Sequence, residues 1–173
     1  MHRSGAVGYA GDMNAILPFS TPRLHVLAAP HSETNRFITV LLSRLALAGG
    51  AQVLDGGNCF DVHALARSLR SQTVALEAAL CRVHVARVFT CVQASVRLSQ
   101  IPVQPTPLIV LSLLTTFGDE NVAHRERARL LELCLKDLQR LAQAAPVLVT
   151  ARPDSEFLPR LKAAADVFWE AEE

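Results

Sequence analysis

Lysine is almost missing from this chain. Of its 17 basic residues only Lys136 and Lys162 are lysines, the rest being arginine, and 16 acidic residues bring the formal net charge to +1. Such a balance leaves no whole-molecule field to recruit nucleic acid or an acidic surface, so any DNA contact has to come from a local patch. Aromatic residues are also scarce, at 5% with one Trp and one Tyr. Phe60, Phe89 and Phe117 are too irregularly spaced to form the stacking platform that single strands need, and they read as core. The four cysteines, Cys59, Cys81, Cys91 and Cys134, contain no CxxC pair. That argues against a zinc knuckle and for a reducing, cytoplasmic setting. The start of the chain has no apolar stretch resembling a signal peptide, and the apolar runs at 38–48 and 108–114 fall short of the roughly 20 residues that cross a bilayer. No membrane span is expected.

What is present is a core. With 173 residues, half of them apolar, the chain can bury one substantial interior and is too short for two. Residues 1–22, rich in Gly, Ser and Pro without either period, read as a flexible arm preceding a single domain over 23–173. Apolar runs at 23–29, 51–57, 83–89, 107–114 and 146–151 suit strands, and 166–173 suits a last edge strand. Between them lie helical patterns at 34–50, 61–69, 73–82, 92–101 and 123–145, and a short one within 152–165. Val62, Leu65, Ala66 and Leu69 share one face, and the longest helix keeps Leu130, Leu131, Cys134, Leu138 and Leu141 on one stripe. Regular strand–helix alternation with short connections implies a three-layer α/β fold, a mainly parallel sheet with helices on both faces.

Three segments carry a family resemblance. VLDGGNCF (53–60), ARVFTCVQ (86–93) and PLIVLSL (107–113) resemble, in this order, the acidic turn after the second strand, the Arg-Ala-Phe strand and the Walker B strand of RecA/Rad-type recombinases. The resemblance runs from about Arg23 to Glu173 and implies a RecA-like core in the P-loop NTPase superfamily, without room for the recombinases' DNA-binding additions. It also exposes what is missing. The family's GxxxxGK[ST] loop cradles phosphates with backbone N–H groups and a lysine. The equivalent AAPHSETNR (28–36) has neither Gly nor Lys: Ala28 or Ala29 stands at the first glycine, Thr34 or Asn35 at the lysine. Pro30 removes a donor, and Glu33 adds negative charge. Asp55 keeps the acidic turn, but Gly57 aligns with the water-activating glutamate, and Leu111, followed by Ser112, stands at the magnesium-binding aspartate.

Phosphate neutralisation, water orientation and metal support are thus lost together, each worth several kcal/mol in the transition state. The resemblance therefore implies a pseudo-ATPase: no cofactor is expected, ATP and magnesium included, and Ser32, Glu33, Thr34, Asn35, Arg36, Asp55 and Gly57 mark a vestigial nucleotide site. Since members of the family assemble domain against domain, the expected mode of action is association with a protein partner, a recombinase or repair factor, in DNA recombination, repair or damage response. The alternative is weak ATP binding or hydrolysis with Arg36 in place of the lysine, aided by a helix N-terminus.

Other clusters have plainer readings. Ser32 and Thr34 are expected to cap the helix that follows them rather than to join His31 in an active site. Cys59 with His63, and Cys81, His84 and Cys91, read as structural residues and not as metal ligands. Arg125, Arg127, Arg129, Lys136 and Arg140 interleave with Glu126, Glu132 and Asp137, which reads as a solvated, salt-bridged face.

Overall fold

A computed structural model of the chain describes Phe19 and residues 21–170. The arm expected over 1–22 lies outside the described residues apart from Phe19, Thr21 and Pro22. Six strands follow: β1 (Leu24–Ala28), β2 (Ala51–Asp55), β3 (Val83–Arg87), β4 (Leu108–Leu111), β5 (Val147–Ala151) and β6 (Val167–Glu170). They alternate with α1 (His31–Ala48), α2 (Val62–Arg70), α3 (Leu76–Leu80), α4 (Cys91–Gln100), α5 (His124–Leu141) and α6 (Leu158–Ala164). All pairings are parallel, in the order β3-β2-β4-β5-β1-β6. The chain is an α/β fold of Rossmann-like or P-loop-like type, and the expected alternation is what forms it.

Burial explains the arrangement. The central strands β1, β4 and β5 are buried at every position, as branched apolar runs covered on both faces should be. Their side chains alternate between two cores. Leu24, Val26, Val110 and Val149 meet Leu98 of α4, Leu131 and Leu138 of α5 and Leu161 of α6. Leu27, Val53, Ile109 and Leu148 meet Leu42 and Ala46 of α1, Leu65 and Leu69 of α2 and Ala79 of α3. Helices α1–α3 thus cover one face and α4–α6 the other.

Several sequence expectations are corrected. The strand expected over 107–114 stops at Leu111, because Ser112 turns into the left-handed region (φ 50°, ψ 43°) and a 3-10 turn occupies Leu113–Phe117. Helix α1 starts at His31, three residues earlier than expected, with Pro30 as N-cap and no side-chain cap. Ser32 lies inside the helix, and the Thr34 hydroxyl donates back to the Pro30 carbonyl (3.0 Å), so the capping expected of them is not made. Val62 opens α2 and is exposed instead of joining Leu65 on the buried face. Phe89, read as core, is 65% exposed, because it follows an edge strand beyond the reach of either core. Cys81, at the C-cap of α3, is exposed rather than buried. The arginines of α5 do form surface pairs, Arg129–Glu126 and Arg140–Asp137, but Arg127 is only 12% exposed and donates to the carbonyls of Phe117 and Val122. No described helix is long and apolar enough to cross a membrane.

Candidate functional site

A parallel sheet presents a crevice wherever neighbouring strands send their connections to opposite faces. Strand β1 leads into α1 on one face and its neighbour β5 into α6 on the other; β2 and β4 diverge likewise. At the carboxyl ends of these four strands lies a cavity of about 440 Å³. Its walls come from each following loop: Ala29, Pro30, His31 and Thr34 after β1, Gly57 and Cys59 after β2, Ser112 and Thr115 after β4, and Thr150 to Asp154 at the end of β5.

Thr34, Ser112, Thr115 and Thr150 bring hydroxyls to this wall. The buried Thr150 accepts a hydrogen bond through Oγ1 from the Ser112 N–H (2.9 Å), which ties β5 to β4 at the strained Ser112 backbone. Cys59 Sγ lies 3.7 Å from Ser112 Oγ and 3.6 Å from Asp55 Oδ1, and burial is the main cause that pushes its thiol above the ordinary value. Arg152 on the wall is held bidentate by Asp154 (2.7 and 3.1 Å) in a solvent-exposed ion pair. Among the described residues no three His, Cys, Asp or Glu side chains converge as a metal site.

The residues singled out from sequence separate here. Thr34 and Gly57 reach the cavity, as does Ser112. Ser32, Glu33 and Arg36 are exposed on α1, and Arg36, two residues on from Thr34, lies on the opposite side of the helix. Asn35 turns its amide to His31 Nε2 (3.0 Å).

Asp55 is fully buried and engaged elsewhere. Its Oδ1 accepts from the N–H groups of Gly57 (3.2 Å) and Cys59 (3.0 Å), its Oδ2 from Phe60 (3.0 Å), and Arg87, its register partner on β3, stands 3.6 Å away. The carboxylate therefore organises the loop after β2. At Gly57, where the family's glutamate would align, a Cβ would come within 2.7 Å of Ser112 Cβ, so the two loops touch through the missing side chain. Sequence reading missed Thr115, Thr150, Arg152 and Asp154; the signal available was their place just at or beyond the end of an apolar strand.

A second feature lies at the sheet edge. Strand β3 pairs only with β2. Arg82 accepts from Ala51 N–H and Val88 N–H donates to Asp55, so the even-numbered residues bond inward. By the two-residue alternation, Val83, Val85 and Arg87 turn their backbone groups outward. Val85 on that edge and Phe89 just after it are exposed, as are Val92 and Val96 on the outer side of α4, the helix that follows. Between the edge and the end of α4 a cavity of about 320 Å³ is lined by Gln52, His84, Ala86, Arg97 and Gln100 among others.

No protein-family model matches the chain, and no curated protein matches it.

Proposed function

We propose that this chain is a non-catalytic, RecA-like accessory module that acts by holding a protein partner, and that the partner docks along β3. The observation that carries the reading is the open edge itself. Exposed edge strands invite pairing, and folded proteins blunt them with lysine, proline, bulges or a covering element. Here the five residues VHVAR carry no lysine or proline, and Val85 with the following Phe89 is exposed. An extended partner segment would find backbone partners at Val83, Val85 and Arg87, apolar contacts at Phe89, Val92 and Val96, and a cavity for one side chain. Arg97, which has no carboxylate partner among the described residues, favours acidic groups on that segment. The setting in DNA recombination, repair or damage response rests on the sequence resemblance alone.

The non-catalytic half of the reading is supported by the cavity at the strand ends. It offers hydroxyls, an arginine paired with Asp154 and a glycine held against Ser112, and neither Lys136 nor Lys162 lines it. The test is capture of partners from a lysate of the source organism by the wild-type protein and by Val92→Asp/Val96→Asp. The expected result is a recombination or repair protein retained by the wild type and lost from the variant. Identical captures, or no capture by a wild type that sediments as a monomer, would overturn the reading.

One observation favours a second reading, weak nucleotide binding. The first N–H groups of α1 reach the cavity mouth without a side-chain cap, an arrangement that attracts anions. Isothermal titration with ATP and magnesium separates the two: saturable micromolar heats support the second reading, and flat heats support the first.

A further inference from the structure

At the opposite end of the sheet order from β3, the second residue of β1 is a histidine, His25, 1% exposed, with neither ring nitrogen in a hydrogen bond. Its ring is stacked on Trp169 of β6 (centroids 5.2 Å apart, planes at 7°) and capped by Phe19 (5.5 Å, 52°). Register places Leu148 of β5 and Val167 of β6 beside it. The charged groups that act on it are Asp166, whose Oδ2 is already engaged by the Leu24 N–H (2.8 Å), and Arg23. Helix α1, covering the same face, turns Arg36 and Arg44 to solvent. The backbone at Thr21 lies close enough to favour a cation, but not in hydrogen-bond geometry.

A neutral imidazole tolerates this place as an aromatic slab; an imidazolium is disfavoured, because neither of its donors meets an acceptor in hydrogen-bond geometry and the rings on both sides keep water off. One of its two covers has to yield for water to reach it. Trp169 belongs to a strand held to β1 over four register positions, and its ring face remains favourable to a cation. Phe19 precedes the first strand and makes no sheet pairing. We propose that His25 is a protonation switch: in acid its ring expels Phe19 from the sheet face and uncovers the His25–Trp169 surface beside edge strand β6, while the six-stranded sheet stays intact. Burial holds the ring's pKa below the ordinary 6.5, with Arg23 acting in the same direction and Thr21 and Asp166 opposing, so the switch lies on the acid side of neutrality.

Trp169 is the chain's only tryptophan, so its fluorescence reports on this end of the sheet. In the full-length protein, emission followed from pH 8 to 5 should pass through one reversible transition with a midpoint below 6.5, with far-UV circular dichroism unchanged. The transition should be absent from His25→Phe. It should move to higher pH in Phe19→Ala, where the ring is already uncovered; Phe19 takes part in no strand pairing, so unchanged far-UV circular dichroism of that variant checks that the sheet is kept. A transition that persists in His25→Phe would overturn the proposal. So would a midpoint unmoved in Phe19→Ala, an ellipticity lost in step with the fluorescence, or no transition in the wild type above pH 5.

Discussion

Replacing Asp55 by alanine removes a buried anion and strands three backbone donors. The N–H groups of Gly57, Cys59 and Phe60 converge on its two oxygens at 3.0–3.2 Å, and Arg87 sits at 3.6 Å. Hydrogen bonds to a charged group contribute about 1.5–3 kcal/mol each, though three sharing one carboxylate do not add fully. Part of the loss is recovered because the freed loop reaches water at Asn58. A net cost of about 3–5 kcal/mol follows, equivalent to roughly 10 °C in Tm for a chain of this size. Asp55→Asn keeps one acceptor oxygen but puts an amide donor against the Phe60 N–H, and should lose about half as much. Urea denaturation of the three proteins checks this. If Asp55→Ala stays within 1 kcal/mol of wild type, the carboxylate does not hold the loop, and a ligand-facing role regains its footing.

Three further outcomes follow. Gly57→Glu, which restores the family's catalytic residue on paper, should destabilise by about 2–3 kcal/mol because its Cβ meets Ser112 at 2.7 Å, and should yield no ATP turnover in a coupled assay. Thiol labelling of the native protein should modify the exposed Cys81 first and Cys59 slowly; Cys134, fully buried with its pKa pushed up to about 12 mainly by burial, and the buried Cys91 should react only on unfolding, as mass spectrometry of timed quenches would show. Stability should fall as pH drops through about 6.5, because the unfolded chain binds a proton at His25 before the folded one does; the slope is at most about 1.4 kcal/mol per pH unit, and His25→Phe should flatten its share in urea titrations at pH 7.5 and 5.5.

The scaffold was readable wherever one physical rule decided the outcome. Runs such as Leu108–Leu111 and Val147–Ala151 could only be strands covered on both sides, and the stripe through Leu131, Cys134 and Leu138 could only be one face of a helix. Their order in the sheet was not readable, because short apolar strands carry no signal for their neighbours. The site was readable in its chemistry and not in its geometry. The sequence showed that Gly57 lacks a carboxylate, but the contact with Ser112 that makes the position a packing site joins residues 55 positions apart. Asp55 looked like a site residue because an aspartate at a strand end can face a ligand or its own loop, and only the folded loop shows which N–H groups it meets. Phe89 misled for the same reason: an aromatic is core or surface according to whether its strand has a neighbour on each side, a property of sheet order rather than of sequence.

That dependence on sheet order also distinguishes the two places where a ligand class can act. At the carboxyl ends of the strands, the cavity between β1, β2, β4 and β5 exists in any sheet with these crossovers, so its presence follows from the fold and does not by itself argue for use. The β3 edge is different, because nothing about the crossovers requires valines at 85, 92 and 96 or a phenylalanine at 89 to face water. Each is exposed and joins neither core, which supports the partner docking proposed above.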